Sequence, residues 1–346
     1  MAARLVTEFG ALVCLLPFYF LPPASSPGAE PELSRFTFTQ PHMGTEFKII
    51  VYAANQAEAD KATQAAFERI AELDRIMSDY RPTSELMRLC QKAGGEPVKV
   101  SEDLFFVLSQ AEEASRLSNG AFDVTVGPLV KLWRLSFRSQ RLPDKEKLAK
   151  ALDLSGYKKV HLDAKARTVK LDKAGMQLDL GGIAKGYAAD EALAVLKKLG
   201  ITRALVAASG DIAVSGPPAD ADGWSIAIAP LDKSSGKPEK TLLLHDAAVS
   251  TSGDAEKYVE IHGKRYSHIV DPRTGLGLTD RMSVTVVADH GITADSMTKV
   301  VCVLGPEKGM PLIDKVKGAA AYMVRQSQQG VETFASKEFK DRFGRK

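Results

Sequence analysis

The run Asp179-Leu180-Gly181-Gly182-Ile183-Ala184-Lys185-Gly186-Tyr187 places an acid, paired glycines, a lysine and a further glycine where an apolar strand is expected to give way to a helix. Glycines there let the backbone approach a ligand with no Cβ in the way. The N–H groups and positive dipole end of the following helix suit a phosphate. The same spacing also reads as a merely tight connection. What favours a ligand is the set of segments downstream: Ser250-Thr251-Ser252-Gly253-Asp254, Ser267-His268-Ile269-Val270-Asp271-Pro272 and Ala294-Asp295-Ser296-Met297-Thr298. Together they read as a site for a phosphorylated ligand and a metal.

Asp295 is expected where a strand passes into a helix, with Thr298 three residues on and therefore on the same helical face. A carboxylate and a hydroxyl, supplemented by a backbone carbonyl and ligand phosphates, suit magnesium. An aspartate at that place equally reads as a helix cap. His268, one of six histidines, either takes a proton from an attacking hydroxyl near neutrality or is a hydrogen-bonded structural group. The segment from Gly120 to Pro128, with Ala121, Phe122 and Asp123, either lines a ring-binding pocket or turns into a strand. Met43-Gly44-Thr45 similarly sets an apolar side chain and a close backbone against a ligand, or is an ordinary turn.

The elements that must position these residues follow from periodicity. Phe47–Tyr52 reads as a strand, and a helix is expected after Asn55, with Ala62, Ala65, Ala66, Leu73 and Ile76 at helical spacing. Ser101 is the expected N-cap of a helix running to Leu117 and stopped by Asn119-Gly120. Residues 30–41, with Pro31 and Pro41, read as an extended lead-in, and the polar stretch 136–146, with Pro143, as a surface loop. Two short strands are expected within 158–171 around a turn near Asp163-Ala164-Lys165, then a helix from about Ala184 to Leu199 ended by Gly200.

Ala204–Ala208, Trp224–Ala229, Ala247–Ser250 and Ser283–Ala288 are apolar runs of strand length, with a hairpin loop at Ser234-Ser235-Gly236-Lys237-Pro238. A helix over 293–303 and a strand over 319–324 complete the pattern. Helices and strands mix without a strict βαβ order, so the fold class expected is α+β. No linker divides the chain after its N-terminus.

Composition narrows the function classes. A chain of 346 residues with 45% hydrophobic content buries a sizeable core. Its 46 basic and 43 acidic residues leave a net charge of +3, too balanced for a nucleic-acid footprint. Arg4, an apolar run from about Phe9 to Leu21 and the small-residue stretch Pro22 to Ala29 follow the order of a secretory signal, with cleavage expected after Ser26 or Ala29. The run is short beside the roughly 20 apolar residues of a membrane span. The expected organisation is a signal peptide or N-terminal anchor over 1–29 and one domain over 30–346, exported to the periplasm or the periplasmic face of the inner membrane. Cys14 falls inside the apolar run. Cys90 and Cys302 are too few for a disulfide framework and are expected as small buried apolar groups.

The order of the pieces is more telling than any one of them. Met43-Gly44-Thr45 is followed by Ser78-Asp79-Tyr80 with Ser84-Glu85-Leu86, then Gly120 to Pro128 with Trp133 close behind, then Asp179 to Asp190 and Ser209-Gly210-Asp211. Ser250 to Gly253, Ser267 to Gly275, and Ala294 to Thr298 with Leu304-Gly305-Pro306 come next. From about residue 40 to about 335 this succession closely resembles the ApbE family of FAD:protein FMN transferases. The resemblance implies a tunnelling-fold-like α+β architecture of mixed sheets flanked by helices, and a bound FAD whose pyrophosphate meets Mg2+. It implies transfer of FMN onto a threonine or serine of a target protein, leaving AMP. The implied targets are flavin-carrying subunits of the sodium-pumping NADH:quinone reductase, of Rnf-type complexes and similar redox proteins, met in peripheral association with the membrane.

Carried over by position, Met43, Tyr80, Ala121, Phe122, Asp123, Asp179, Lys185 and Ile269 should contact FAD. Gly182 should offer its carbonyl, Asp295 its carboxylate and Thr298 its hydroxyl to the metal. One departure stands out. Many members carry threonine four residues after the metal aspartate, where this chain has Lys299, so either Thr298 takes over as ligand or Lys299 brings positive charge to the phosphates. His268, or else Asp271, would accept the proton of the incoming hydroxyl. Phosphoryl transfer asks mainly for positioning and charge neutralisation, which these residue types supply. The same site used with water would make an FAD pyrophosphatase, and without chemistry an FAD-binding protein. Asp295, read as a carboxylate lining a surface, should matter more to turnover than to folding.

Overall fold

The computed structural model describes residues 32–231, 237–253 and 257–344. The N-terminal apolar run, most of the expected Ser234–Pro238 loop and Asp254 lie outside the described residues. Residues 33 onward form one unit. No helix among the described residues is long and apolar enough to cross a membrane.

The frame of the site is an eight-stranded antiparallel sheet. Its spatial order is β1 (Ser34–His42), β2 (Thr45–Ala53), β6 (Ala204–Ala208), β7 (Asp211–Val214), β10 (Ala247–Gly253), β13 (Met282–Ala288), β14 (Ala320–Ser327) and β15 (Gly330–Ala335). Alternation along a strand sends side chains to opposite faces. In β2, Phe47, Ile49 and Val51 enter the larger core while Ile50 enters a second one on the other face. Every residue of β13 is buried, as expected of a strand covered on both sides.

Helices cover the first face: α1 (Gln56–Met77), α2 (Glu85–Gln91), α3 (Glu102–Leu117), α6 (Ala184–Lys198) and α7 (Gly291–Ile313). The hairpin of β8 (Trp224–Ile228) and β9 (Lys240–Leu244), with α8 (Lys337–Phe343), covers the second. A smaller cluster packs α4 (Gly127–Ser139) and α5 (Lys145–Asp153) on the hairpin of β11 (Tyr258–Ile261) and β12 (Lys264–Ser267), through Leu129, Trp133, Ala151, Ile261 and Tyr266. A three-stranded sheet of β3 (Val98–Lys99), β5 (Thr168–Leu171) and β4 (Val160–Asp163) completes the chain.

The caps act as their residue types dictate. Asn55 accepts from the Glu58 amide to start α1, and Ser101 from the Leu104 amide to start α3. Asn119 and Gly120, both with positive φ, end the α3 region as expected. Cys90 and Cys302 are buried and unbridged.

Five expectations are corrected. The extended lead-in becomes an edge strand, where Pro41 is tolerated because an edge residue needs no amide donor. The loop expected at 136–146 is helical at both ends, because Leu129, Trp133 and Ser136 bury one face of α4, and Asp144 then caps α5. The segment before Gly181 is not a sheet strand: residues 176–180 run irregularly, with the Asp179 amide donating to the Val124 carbonyl. The segment from Gly120 leads into a helix, α4, and not a strand. α7 also runs beyond the expected 303 to Ile313, bending at Gly305, whose φ of 71° breaks the helical run.

One ion network ties the helical layer together. Arg69 on α1 bonds Glu72 at 2.8 Å and Glu191 on α6 at 2.7 Å, and also pairs with Asp103 on α3. The Tyr187 hydroxyl donates to Asp103 at 2.7 Å. Removing one partner of such a half-buried set strands the others. Arg69→Ala should therefore lower unfolding stability by about 2 kcal/mol in urea titration, with the site's ligand affinity little changed.

Candidate functional site

A cavity of about 1300 Å³ opens at one end of the sheet. Turns build its rim. Met43 and Gly44 join β1 to β2 with φ of 48° and 72°, the paired left-handed conformation of a two-residue hairpin. Ser209 and Gly210 join β6 to β7 beside them, and a Cβ on Gly210 would lie 2.6 Å from the Thr251 carbonyl oxygen. The glycine is what lets this turn lie against β10.

One wall is apolar, formed by Phe122, Val124, Val126, Trp133 and Ile269. Trp133 is held by its ring N–H, which donates to the Gly275 carbonyl at 2.7 Å. Tyr80 stands at the opening, 70% exposed, with the Arg134 guanidinium 4.3 Å above its ring. Arg134 also reaches Asp79 at 2.7 Å and Asp179 at 3.4 Å. Burial and the neighbouring Asp79 push the Asp179 carboxyl above its ordinary range, against the Gly181 amide and Arg134. Asp123 also lines the cavity, but its oxygens serve the chain itself. They accept from the Thr125 amide and hydroxyl at 2.8 and 2.6 Å and from the Tyr157 amide at 2.7 Å.

The floor is cationic. Lys185, in the first turn of α6, and Lys299, on α7, both line the cavity beside Gly182. Lys185 Nζ lies 2.8 Å from Asp211 and 3.5 Å from Asp295. Burial alone would lower the Lys185 pKa, but Asp295 and Asp211 outweigh it and hold the ammonium above its ordinary value. Asp295 is the mirror case: burial would raise it, and Lys185 and Lys299 hold it down. Asp211 was not assigned a role from sequence. The signal was its place in the Ser-Gly-Asp turn, and the Ser250 hydroxyl now anchors it at 2.6 Å.

Of the residues expected to contact a flavin nucleotide, all line this one cavity: Met43, Tyr80, Ala121, Phe122, Asp123, Asp179, Lys185 and Ile269. His268 and Gly182 line it too. Asp295 and Thr298 do not. Asp295 is fully buried, its Oδ2 accepting from the Gly186 amide at 3.2 Å and its Oδ1 paired with Lys299. The Thr298 hydroxyl donates to the Asp295 carbonyl at 2.7 Å and meets Ser252 Oγ at 2.9 Å. The expectation of a surface-lining carboxylate at 295 is corrected, since two lysine side chains stand between it and the cavity. Nor does Asp295 cap α7. Asp190 does, accepting from the Gly291 and Ile292 amides at 2.7 and 3.0 Å.

These residues do not fit a divalent cation. No group of three or more His, Cys, Asp or Glu side chains that could hold one occurs among the described residues. Lys185, Lys299, Asp211 and Asp295 balance in charge, which leaves no excess anion to draw a dication. Placing one about 4 Å from an ammonium costs about 4 kcal/mol per unit charge at an effective dielectric of about 20. A pyrophosphate in the cavity meets the two ammonium groups that line it, with Asp295 buried behind them.

His268 is exposed at the rim and its Nδ1 lies 3.1 Å from the Lys257 carbonyl. A carbonyl only accepts, so Nδ1 carries the proton and Nε2 is the basic nitrogen of the neutral ring. Asp271 is occupied otherwise: Arg273 grips both of its oxygens, at 2.8 and 2.7 Å. The geometry favours His268 over Asp271 as a proton acceptor.

Gly186 has a different task from the one its position in the glycine run suggested. It does not line the cavity. A Cβ on it would lie 2.1 Å from the Gly291 carbonyl oxygen, and one on Gly291 would lie 2.5 Å from the Gly186 oxygen. The N-terminal turns of α6 and α7 thus cross backbone to backbone, and this contact brings Asp295 under Lys185. Asp190 pins the same junction. Burial pushes its pKa up to about 6 from 3.8, against the two amides and His290 that lower it. With the folded value above the unfolded one, the folded state holds the proton through that window. The stability Asp190 contributes is complete below about pH 4 and is lost as pH rises past about 6. Thermal unfolding should therefore show wild type losing stability relative to Asp190→Asn over that interval, and a flat difference would contradict the placement.

The chain is similar to proteins of known activity along most of its length. The sequence pattern of the ApbE family matches residues 43–323. The FAD:protein FMN transferase of Vibrio cholerae is 34% identical over 318 residues, covering 90% of this chain and 94% of that one. That of Treponema pallidum is 32% identical over 332 residues, covering 92% and 90%. Among solved structures, the flavin transferase ApbE from Vibrio cholerae superposes with a TM-score of 0.82 at 30% identity, covering 90% of this chain and all of that one. The apo flavinyl transferase ApbE of Pseudomonas stutzeri gives 0.80 at 30% identity, covering 91% and 98%. With matching sequence pattern, relatives and architecture, this chain belongs to the ApbE family.

Proposed function

We propose that the chain transfers FMN from FAD to a threonine or serine hydroxyl of a target protein and releases AMP. The observation that carries this reading is the cavity itself, which joins an apolar ring-sized wall to a lysine floor with His268 at the rim. Phe122 and Ile269 would flank the flavin ring. Lys185 would hold the charge of the pyrophosphate, itself held in place by Asp211 and Asp295. The acceptor hydroxyl, approaching from the open side past His268, would give its proton to Nε2 as its oxygen attacks the FMN phosphorus. The bond from that phosphorus to the bridging oxygen breaks, and AMP leaves with the electron pair. Positioning and charge neutralisation are the main demands of such a transfer. Of the magnesium ligands expected from sequence only Gly182 reaches the cavity, and no step is assigned to the ion.

The exposure of His268 supports a second reading, since water could take the place of the hydroxyl and give FMN and AMP. The site of action we propose is the periplasm, on the order of residues in the N-terminal segment. The targets we propose are flavin-carrying redox proteins such as subunits of sodium-pumping NADH:quinone reductase or Rnf-type complexes. The test incubates the protein with FAD and an acceptor peptide of the Asp-Gly-Ala-Thr type, followed by mass spectrometry. FMN joined to the peptide with AMP released is the expected result. AMP and free FMN regardless of peptide would establish hydrolysis instead, and FAD left intact would establish a binding protein.

A further inference from the structure

We propose that Lys299 is a tethered cation that takes the place of a divalent metal, so that this chain binds FAD and transfers FMN without one. The inference rests on the reading of the cavity as an FAD site. The Lys299 ammonium is paired with Asp295 Oδ1. Its stem runs along Gly182, where a Cβ would meet Lys299 Cγ at 3.4 Å and Cε at 3.5 Å. The side chain therefore runs past Gly182 and ends on the Asp295 carboxylate, the two residues expected from sequence to hold a metal. Asp295 Oδ2 accepts from the Gly186 amide and faces Lys185, so both oxygens already face a hydrogen-bond donor or an ammonium group. The Thr298 hydroxyl is engaged by Ser252 Oγ and the Asp295 carbonyl.

A ligand thus meets two fixed ammonium groups, each held by a carboxylate behind it. In the transfer, the bond between the FMN phosphorus and the bridging oxygen breaks. The electron pair stays on the AMP phosphate, where Lys299 neutralises it, and the proton of the attacking hydroxyl goes to His268. No other co-reactant is required.

The test measures FAD affinity by quenching of flavin fluorescence, in excess chelator and in millimolar magnesium, alongside transfer to the acceptor peptide. Wild-type affinity should agree within about twofold between the two conditions, and transfer should persist in chelator. Lys299→Thr should lose affinity by about ten- to a hundredfold in chelator, as expected for losing a charge-assisted contact, and regain it with magnesium. Lys299→Arg, which keeps the charge, should keep metal-free binding. Wild type that loses FAD in chelator and recovers it with magnesium would overturn the proposal. So would Mn2+ bound to the wild-type FAD complex by electron paramagnetic resonance, or a Lys299→Thr variant unaffected by chelator. The two readings fail separately. Metal-free FAD binding without transfer to any acceptor leaves Lys299 in its role and removes the transferase, whereas transfer that requires metal does the reverse.

Discussion

Exchanging His268 for alanine should lower kcat by about 10²- to 10⁴-fold, the range for a positioned general base. FAD affinity and the unfolding midpoint should barely change, because the side chain is exposed at the rim and packs into no core cluster. The pH profile carries the stronger test. With a neutral imidazole required, the wild-type rate should rise with pH as the ring gives up its proton and then level off. The variant should lose that limb. A variant with a large loss in kcat but an unaltered profile would make His268 a positioning residue and require another group to take the proton.

Gly186→Ala should destabilise the fold and the site together. On an exposed helix the change stabilises by about 1 kcal/mol, because alanine is the better helix former. Here the added Cβ would lie 2.1 Å from the Gly291 carbonyl oxygen, and both partners are backbone, so no side chain can swing aside. Overpacking of this kind costs about 1–3 kcal/mol or more, which outweighs the propensity gain. Opening the crossing also pulls Asp295 off the Gly186 amide and loosens both lysines. The expected result is a net loss of about 2 kcal/mol or more in urea titration, with weakened FAD binding. A more stable variant would mean that α6 and α7 do not touch at this point, and the account of the cationic floor would go with it.

Local chemistry made much of the architecture legible. Asn55 and Ser101 announce their helices because a short polar side chain satisfies the first free amides within its own turn. The strands at Phe47–Tyr52 and Ser283–Ala288 announce themselves through apolar runs of strand length. The stretch 136–146 has the polar composition of a loop, but Trp133 and Ser136 bury one face of α4 and carry the helix into it. The irregular segment before Gly181 has the composition of a strand, because an apolar run looks the same whether or not a neighbour pairs with it.

Within the site, sequence order alone determined the fold class and the family, and it named residues from Met43 to Ile269 that line the cavity, together with Asp295 and Thr298, which do not. Those residues sit in turns and caps whose local chemistry is written in types and spacing. The tertiary structure alone decided which of the expected residues reach the cavity. Asp295 and Lys299 stand four residues apart on one helix in either reading, but only the backbone crossing of Gly186 with Gly291 sets Asp295 behind Lys185 and leaves the lysines in front. That depends on two helices distant in the chain and on a contact made by glycines. A glycine has no side chain whose character could reveal its partner, so this contact is invisible until both helices are in place.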